Sequence, residues 1–233
     1  LPDLVHGSVE RPCTALPRRV DVIHDLRLDG YQPVGTLGTM SESADRFRRL
    51  AAGFTNVVAA VPESAWTNPS PCQGWTARDV VRHLVEWIPG PGFLLGTYGI
   101  KITDLPSVEL DPLGAWVAVR DAVQAGLDDP ATAQRVENCG PLGRLSFETA
   151  ADMTCTTDVF VHTWDLAQAV GIDAALDDDE LRRQLDEIAS IPPVVDAAMR
   201  GSGHYGPRLD PADDADPTSV VMAFYGRRPL GPS

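Results

Sequence analysis

Asp158 and His162 stand four residues apart in a stretch, Thr157 to Gly171, whose remaining members are mostly apolar. On a helix the two side chains lie one above the other on one face. Asp165, three residues beyond His162, joins the same stripe. A carboxylate beside an imidazole on an otherwise greasy helix supplies two ligands to a metal ion. It is equally the wet side of an ordinary amphipathic helix. A third ligand from a different element bears on that choice. His83, His162 and His204 are the histidines beyond residue 39, and the first two fall in the interiors of expected helices. Two imidazoles and one carboxylate suit zinc, and also nickel, iron or manganese. Three protein ligands leave a coordination position for water or substrate, as catalytic sites do. Spacing alone leaves the metal site and the bland amphipathic face both standing.

The elements that must aim these groups are helices. From Ser43 to Val61, Phe47, Leu50, Phe54, Val57, Val58 and Val61 recur at three- and four-residue steps, and Pro62 ends the run. A Pro- and Gly-bearing loop leads to Thr76, a good N-cap with Asp79 three positions on. The second helix, Ala77 to Ile88, puts Val80, Val81, Leu84, Val85 and Ile88 on its apolar face, with His83 at the polar boundary between Asp79 and Trp87. Residues 89–111 form a long Gly/Pro-rich connection, either a binding loop or a packed structural one. Asp111-Pro112 opens a third helix, with Trp116, Val119, Val123 and Leu127 on one side. Residues 131–144 read as irregular, and the fourth helix runs from about Ser146 to Val170, closed by Gly171. The acidic run Asp177 to Glu180 starts a fifth helix and reads as solvated surface, lacking the pattern of a calcium loop. Pro192-Pro193 breaks that helix, and Asp216-Pro217 caps a last one from Thr218 to Tyr225. No strand pattern stands out between residues 41 and 229. Four main helices with long crossovers predict an all-α bundle with short extra C-terminal helices.

Composition narrows the functions. The formal charge of −14 repels a phosphate backbone, so nucleic-acid binding through a basic patch is not expected. Lys101 is the only lysine among nineteen basic residues. Cys13, Cys72, Cys139 and Cys155 are scattered, with neither a C-x-x-C pair nor a disulfide framework, and point to a reducing cytoplasm. No apolar run reaches the ~18–20 residues of a membrane span. Residues 1–39 mix Pro, Gly and Arg without a sustained period and read as an extension outside the fold, with Met40 a plausible natural start. The helical domain is expected over residues 40–229.

Two strings carry a resemblance. Pro71-Cys72-Gln73-Gly74-Trp75-Thr76-Ala77-Arg78-Asp79-Val80-Val81-Arg82-His83-Leu84, paired with Val161-His162-Thr163-Trp164-Asp165-Leu166-Ala167, resembles the mycothiol-dependent maleylpyruvate isomerase-like family of the DinB-like metalloprotein superfamily. The likeness extends from about Met40 to Pro229 and includes the closing Phe224-Tyr225-Gly226-Arg227. It implies a four-helix bundle that holds a divalent metal, usually zinc, between helices. Carried over position by position, it implies His83, His162 and Asp158 as ligands; family members commonly carry Glu where this chain has Asp158. The full isomerase also has a separate C-terminal domain, so isomerisation of maleylpyruvate itself is not implied.

The chemistry implied is thiol activation. A zinc-bound thiol is deprotonated near neutral pH, and the thiolate is the nucleophile. Mycothiol is the implied cosubstrate, for S-transfer to, or isomerisation of, a small electrophile. Asp165 is a candidate to orient a ligand imidazole, or else a helix-surface carboxylate. Trp87 is a candidate pocket wall, or else core. Arg227 reads as a surface arginine in preference to a contact for an acidic substrate, and no cysteine is expected to act as nucleophile. A small-molecule substrate, a cytoplasmic setting and a monomer or homodimer complete the expectation. A metal-binding module without turnover and a metal-water hydrolase use the same ligands and stay open.

Overall fold

The computed structural model of the protein describes residues 41–201 and 206–230. The expected extension over residues 1–39, with His6, His24 and Cys13, lies outside the described residues, as does His204.

Four helices make the bundle. They are α1 (Ser41–Ala60), α2 (Ala77–Trp87), α3 (Pro112–Asp128) and α4 (Thr157–Val170). α1 and α2 each pack on both α3 and α4, so the chain crosses between diagonal corners rather than stepping around the square. Phe47, Phe54, Val80, Leu84, Trp116, Val123, Val159 and Leu166 fill the space between them. Phe54 meets Trp116 edge to face at 4.8 Å, and the indole Nε1–H of Trp116 finds Thr55 Oγ1 at 2.9 Å. Three further helices follow: α5 (Asp178–Ser190), α6 (Pro193–Gly201) and α7 (Pro217–Phe224). α5 and α7 pack together and cover the outer face of α4, where Phe160, Val161 and Trp164 meet Leu181, Val221, Met222 and Phe224. α4 is apolar nearly all round because both of its sides are buried.

The sequence signals act as their chemistry demands. Thr76 and Asp79 form a capping box at α2: Asp79 N–H donates to Thr76 Oγ1 at 3.3 Å and Thr76 N–H to Asp79 Oδ2 at 2.8 Å. Asp111, Asp177 and Asp216 cap α3, α5 and α7. Gly171, at φ 71°, ends α4; its N–H bonds Gln168 O and Ile172 N–H bonds Ala167 O, the two bonds that close a helix through a left-handed residue.

The all-α expectation holds, with corrections. The stretch 131–144, read as irregular, instead enters an antiparallel hairpin of β1 (Val136–Asn138) and β2 (Arg144–Ser146), paired Val136↔Ser146, Glu137↔Leu145 and Asn138↔Arg144. Three-residue strands are too short for a period to show. The fourth helix does begin behind Ser146, but not regularly. An α-turn (Phe147–Ala150) leads into a π-helical stretch (Ala151–Thr156) before α4 proper. The long connection after α2 is packed, with Leu94, Leu95 and Tyr98 buried in the core. The acidic run before α5 is not all solvated: Glu180 is buried and accepts from Arg46 Nε and Nη2 at 2.8 and 2.5 Å. Among the described residues no helix is long and apolar enough to cross a membrane.

Candidate metal centre

The packing of α2 on α4 brings His83 to Asp158 and His162. His83 Nε2 lies 3.1 Å from Asp158 Oδ2, and His162 Nε2 lies 3.3 Å from Asp158 Oδ1. One ligand atom from each of the three falls within 4.8 Å of the other two. Zinc bonds of about 2.0–2.1 Å place neighbouring ligands of a tetrahedron roughly 3.3–3.4 Å apart. The two carboxylate–imidazole separations are within a few tenths of an ångström of that edge. The donor set therefore fits a divalent ion, and the Asp158 side chain reaches both imidazoles.

The side chains around the three donors fix their orientation. His162 Nδ1 lies 2.9 Å from Asp165 Oδ2, which assigns the proton to Nδ1 and turns the Nε2 lone pair toward the centre. Trp87 Nε1–H donates to Asp158 Oδ2 at 2.8 Å. Trp75 stacks on His162 at 5.9 Å between ring centroids and leans on His83 at 5.0 Å. A tight turn puts it there, with Trp75 N–H on Cys72 O at 3.0 Å and Gly74 at φ 80° supplying the left-handed position. Phe93 meets Trp87 edge to face at 6.0 Å. The His162 side chain is 3% exposed, His83 12% and Asp158 29%. The centre is thus more exposed on the side of Asp158 than on that of His162.

Behind His162 lies a second, closed layer. Asp165 is fully buried. Besides His162, its Oδ2 accepts from Cys72 Sγ at 3.3 Å and from Arg227 Nε at 3.3 Å, while Oδ1 has no partner among the described residues. Arg227 arrives because Gly226, at φ 77°, turns the chain after α7, with Gly226 N–H on Ala223 O and Arg227 N–H on Met222 O. Cys72, His162 and Asp165 could also surround a cation by spacing. The guanidinium against two of them already supplies the positive charge there.

These contacts set the proton positions of the metal-free centre. Burial opposes charge on His162, but the Asp158 carboxylate outweighs it and holds the imidazole well above its ordinary pKa. Burial likewise opposes ionisation of Asp158, and His162 and His83 together hold it far below the usual carboxylate range. Asp165 is lowered against its own burial by Arg227 first and then by His162. Burial, with the Asp165 charge second, pushes the Cys72 thiol up, so it stays a neutral donor.

The structure brings His83, Asp158 and His162 together, with Asp165 behind His162 and Trp87 against Asp158. Asp165 takes the first of its two expected places, as the buried partner of His162, and Trp87 donates to the Asp158 carboxylate. One expectation is overturned. Arg227 is no surface arginine; it lies against Asp165. Cys72 and Trp75 went unassigned, although the Cys-Gln-Gly-Trp turn precedes the α2 cap directly and could have pointed to them.

Comparison with known proteins supports the resemblance. Residues 47–90 match the family described as the mycothiol maleylpyruvate isomerase N-terminal domain. That span holds Cys72, Trp75, His83 and Trp87, and stops short of α4. Uncharacterised proteins from Mycobacterium tuberculosis strains CDC 1551 and H37Rv are 26% identical over 181 residues, covering 77% of this chain and 94% of theirs. No solved structure matches.

Proposed function

We propose that His83, Asp158 and His162 bind a divalent metal, zinc in the first instance, and that the centre activates a low-molecular-weight thiol, mycothiol by the family likeness, toward a small electrophile. The observation that carries this reading is the pair of 3.1 and 3.3 Å separations that set one carboxylate across two imidazoles. When bound, the ion supplies the positive charge that keeps a thiol sulfur deprotonated near neutral pH.

The chain's own residues do the rest. Asp165 holds the His162 tautomer through Nδ1–H. Trp87 holds Asp158 Oδ2 and so keeps that carboxylate from swinging outward. Trp75, Trp87 and Phe93 give the open side an aromatic border that excludes water and suits a polarisable sulfur. The transfer balances simply: the thiol proton passes to solvent, the sulfur forms a bond to the electrophilic carbon, and the leaving group takes the electron pair of the bond that breaks. In isomerisation no group leaves. The sulfur adds to a carbon–carbon double bond whose π pair moves to the neighbouring carbon, the new single bond rotates, and the carbon–sulfur bond then breaks to restore the double bond and the thiol.

The test uses the purified full chain. About one equivalent of metal per chain is expected, with turnover of a model electrophile that requires added thiol and is lost in His162→Ala. Stoichiometric metal without turnover would favour the binding-module reading. Hydrolysis of an ester or amide without thiol would favour metal-water chemistry, and absence of metal would remove all three.

A further inference from the structure

Asp158 is the second residue of α4 after the π-helical stretch Ala151–Thr156, and a side chain from another helix grips that stretch. Three successive carbonyls there accept side-chain donors. Thr154 Oγ1 lies 2.6 Å from Ala150 O, Thr156 Oγ1 lies 3.0 Å from Ala151 O, and Arg46 Nη1 lies 3.0 Å from Asp152 O. Arg46, on α1, is 4% exposed. Its Nη1 also donates to Asp152 Oδ1 at 2.7 Å and its Nη2 to Thr157 Oγ1 at 3.3 Å, the residue just before Asp158. Its remaining edge pairs with Glu180, which Gln184 and then Tyr225 Oη extend toward α7 at 2.8 and 2.6 Å.

We infer that Arg46 is a positioning residue for the metal centre: by pinning the π-helical stretch it sets the angle at which Asp158 meets His83 and His162. The inference rests on the metal reading above. A π turn carries one residue more than an α turn, so its relaxation rotates the following helix by about 100° relative to the preceding one and slides it by about 1.5 Å. From Val159 onward α4 is locked between two apolar clusters, which leaves its first turn to absorb the change. A slide of that size breaks a carboxylate that must stay about 3 Å from two imidazoles, while His162, a turn deeper, keeps its place. Glu180 alone would satisfy the charge of Arg46. The donors turned toward Asp152 and Thr157 serve the helix start, and a buried ion pair is by itself a poor source of stability.

The test compares Arg46→Met, Thr156→Val and Tyr225→Phe with the wild type, using Co²⁺ titration followed by visible absorption and urea unfolding of each metal-free chain. Thr156→Val keeps the side-chain shape and leaves the ion network intact, so it tests whether the π-helical stretch sets Asp158. If Arg46→Met does not fold, Arg46→Lys, which keeps the charge for Glu180 and loses the fork that reaches Asp152 and Thr157, tests Arg46 in its place. Tyr225→Phe cuts the far end of the network and reports stability loss without touching the π stretch. Expected are an affinity loss of about tenfold or more in the first two, with a weakened and shifted visible band from the displaced carboxylate, and wild-type binding in Tyr225→Phe. The inference is overturned if the folded Arg46→Met or Thr156→Val chains bind Co²⁺ within about twofold of wild type with the same band. It is overturned equally if affinity in all three simply follows stability. A wild-type chain that takes up no Co²⁺ removes the metal reading itself, a failure distinct from either.

Discussion

Asp165→Asn separates charge from shape at the back of the metal centre. The carboxylate accepts from His162 Nδ1 at 2.9 Å, Cys72 Sγ at 3.3 Å and Arg227 Nε at 3.3 Å through one oxygen, Oδ2, while Oδ1 is buried without a partner among the described residues. An asparagine that puts its carbonyl oxygen in the Oδ2 place keeps all three donors within reach. What it loses is the negative charge. Loss of such a partner behind a metal-bound imidazole lowers affinity about 10- to 100-fold, or ~1.4–2.8 kcal/mol. Because the hydrogen bond to His162 survives in neutral form, the lower end applies, about tenfold. Arg227 also loses its counter-charge. Bonds to a charged partner are worth about 1.5–3 kcal/mol, and with the Arg227 side chain 15% exposed, water recovers part of that. The metal-free variant should therefore unfold with a stability loss of about 1–2 kcal/mol. Competition against a chromophoric zinc chelator measures the first quantity and urea unfolding the second. A folded Asp165→Asn chain that binds zinc as tightly as wild type would refute the orienting role, whatever its stability.

Three other outcomes follow from the same geometry. The raised pKa of His162 stabilises the metal-free protein fully below its ordinary value of about 6.5, and that contribution is lost as pH rises through the higher folded value. Urea midpoints of the metal-free chain should fall over that interval, and those of the zinc-loaded chain, in which His162 is already neutral, should not. Thr76→Ala removes the side-chain acceptor of the α2 capping box and should reduce unfolding stability by about 1 kcal/mol, read by denaturant titration. Gly96→Ala places a Cβ 2.2 Å from the backbone oxygen of Gly90, so the loop carrying Phe93 must move; a stability loss of about 1–3 kcal/mol and altered Trp87 fluorescence are expected.

The helices were legible because each apolar stripe has one core to face and each start carries its own cap. α2 is the clearest case: Thr76, Asp79 and five apolar positions at helical spacing locate it within a residue. The three donors were legible for a related reason. Charged and aromatic nitrogen-bearing side chains inside otherwise apolar helices are few, and here they fall on two helices that touch. What stayed hidden depends on contacts between distant segments. Glu180 reads as one more acid in an acidic run, and only Arg46, 134 residues earlier, makes it a buried ion-pair partner. Arg227 reads as a surface arginine until the turn at Gly226 carries it back to Asp165. The π-helical stretch leaves no mark in periodicity, since one extra residue shifts the phase without removing any apolar position. Even the greasy circumference of α4 has two sequence explanations, a deep core or a second covering layer, and α5 and α7 show that it is the latter.

The arrangement around the donors also bears on which atom best fills the open position. A divalent ion held by two neutral imidazoles and one carboxylate retains a net positive charge, and Asp165 and Arg227 cancel each other behind it. An anionic fourth ligand is therefore favoured, which thiolate and hydroxide satisfy alike. They part at the border of the site. Trp75 lies 5.0 and 5.9 Å from the two imidazole rings, Trp87 lies 6.1 Å from His83, and the indole N–H of Trp87 is already given to Asp158. A sulfur ligand gains about 0.3–1.5 kcal/mol where it sits ~5 Å from an aromatic edge, whereas a hydroxide finds no hydrogen-bonding partner in an indole face. On the metal reading proposed above, charge and border together favour a soft anion over hydroxide as the fourth ligand.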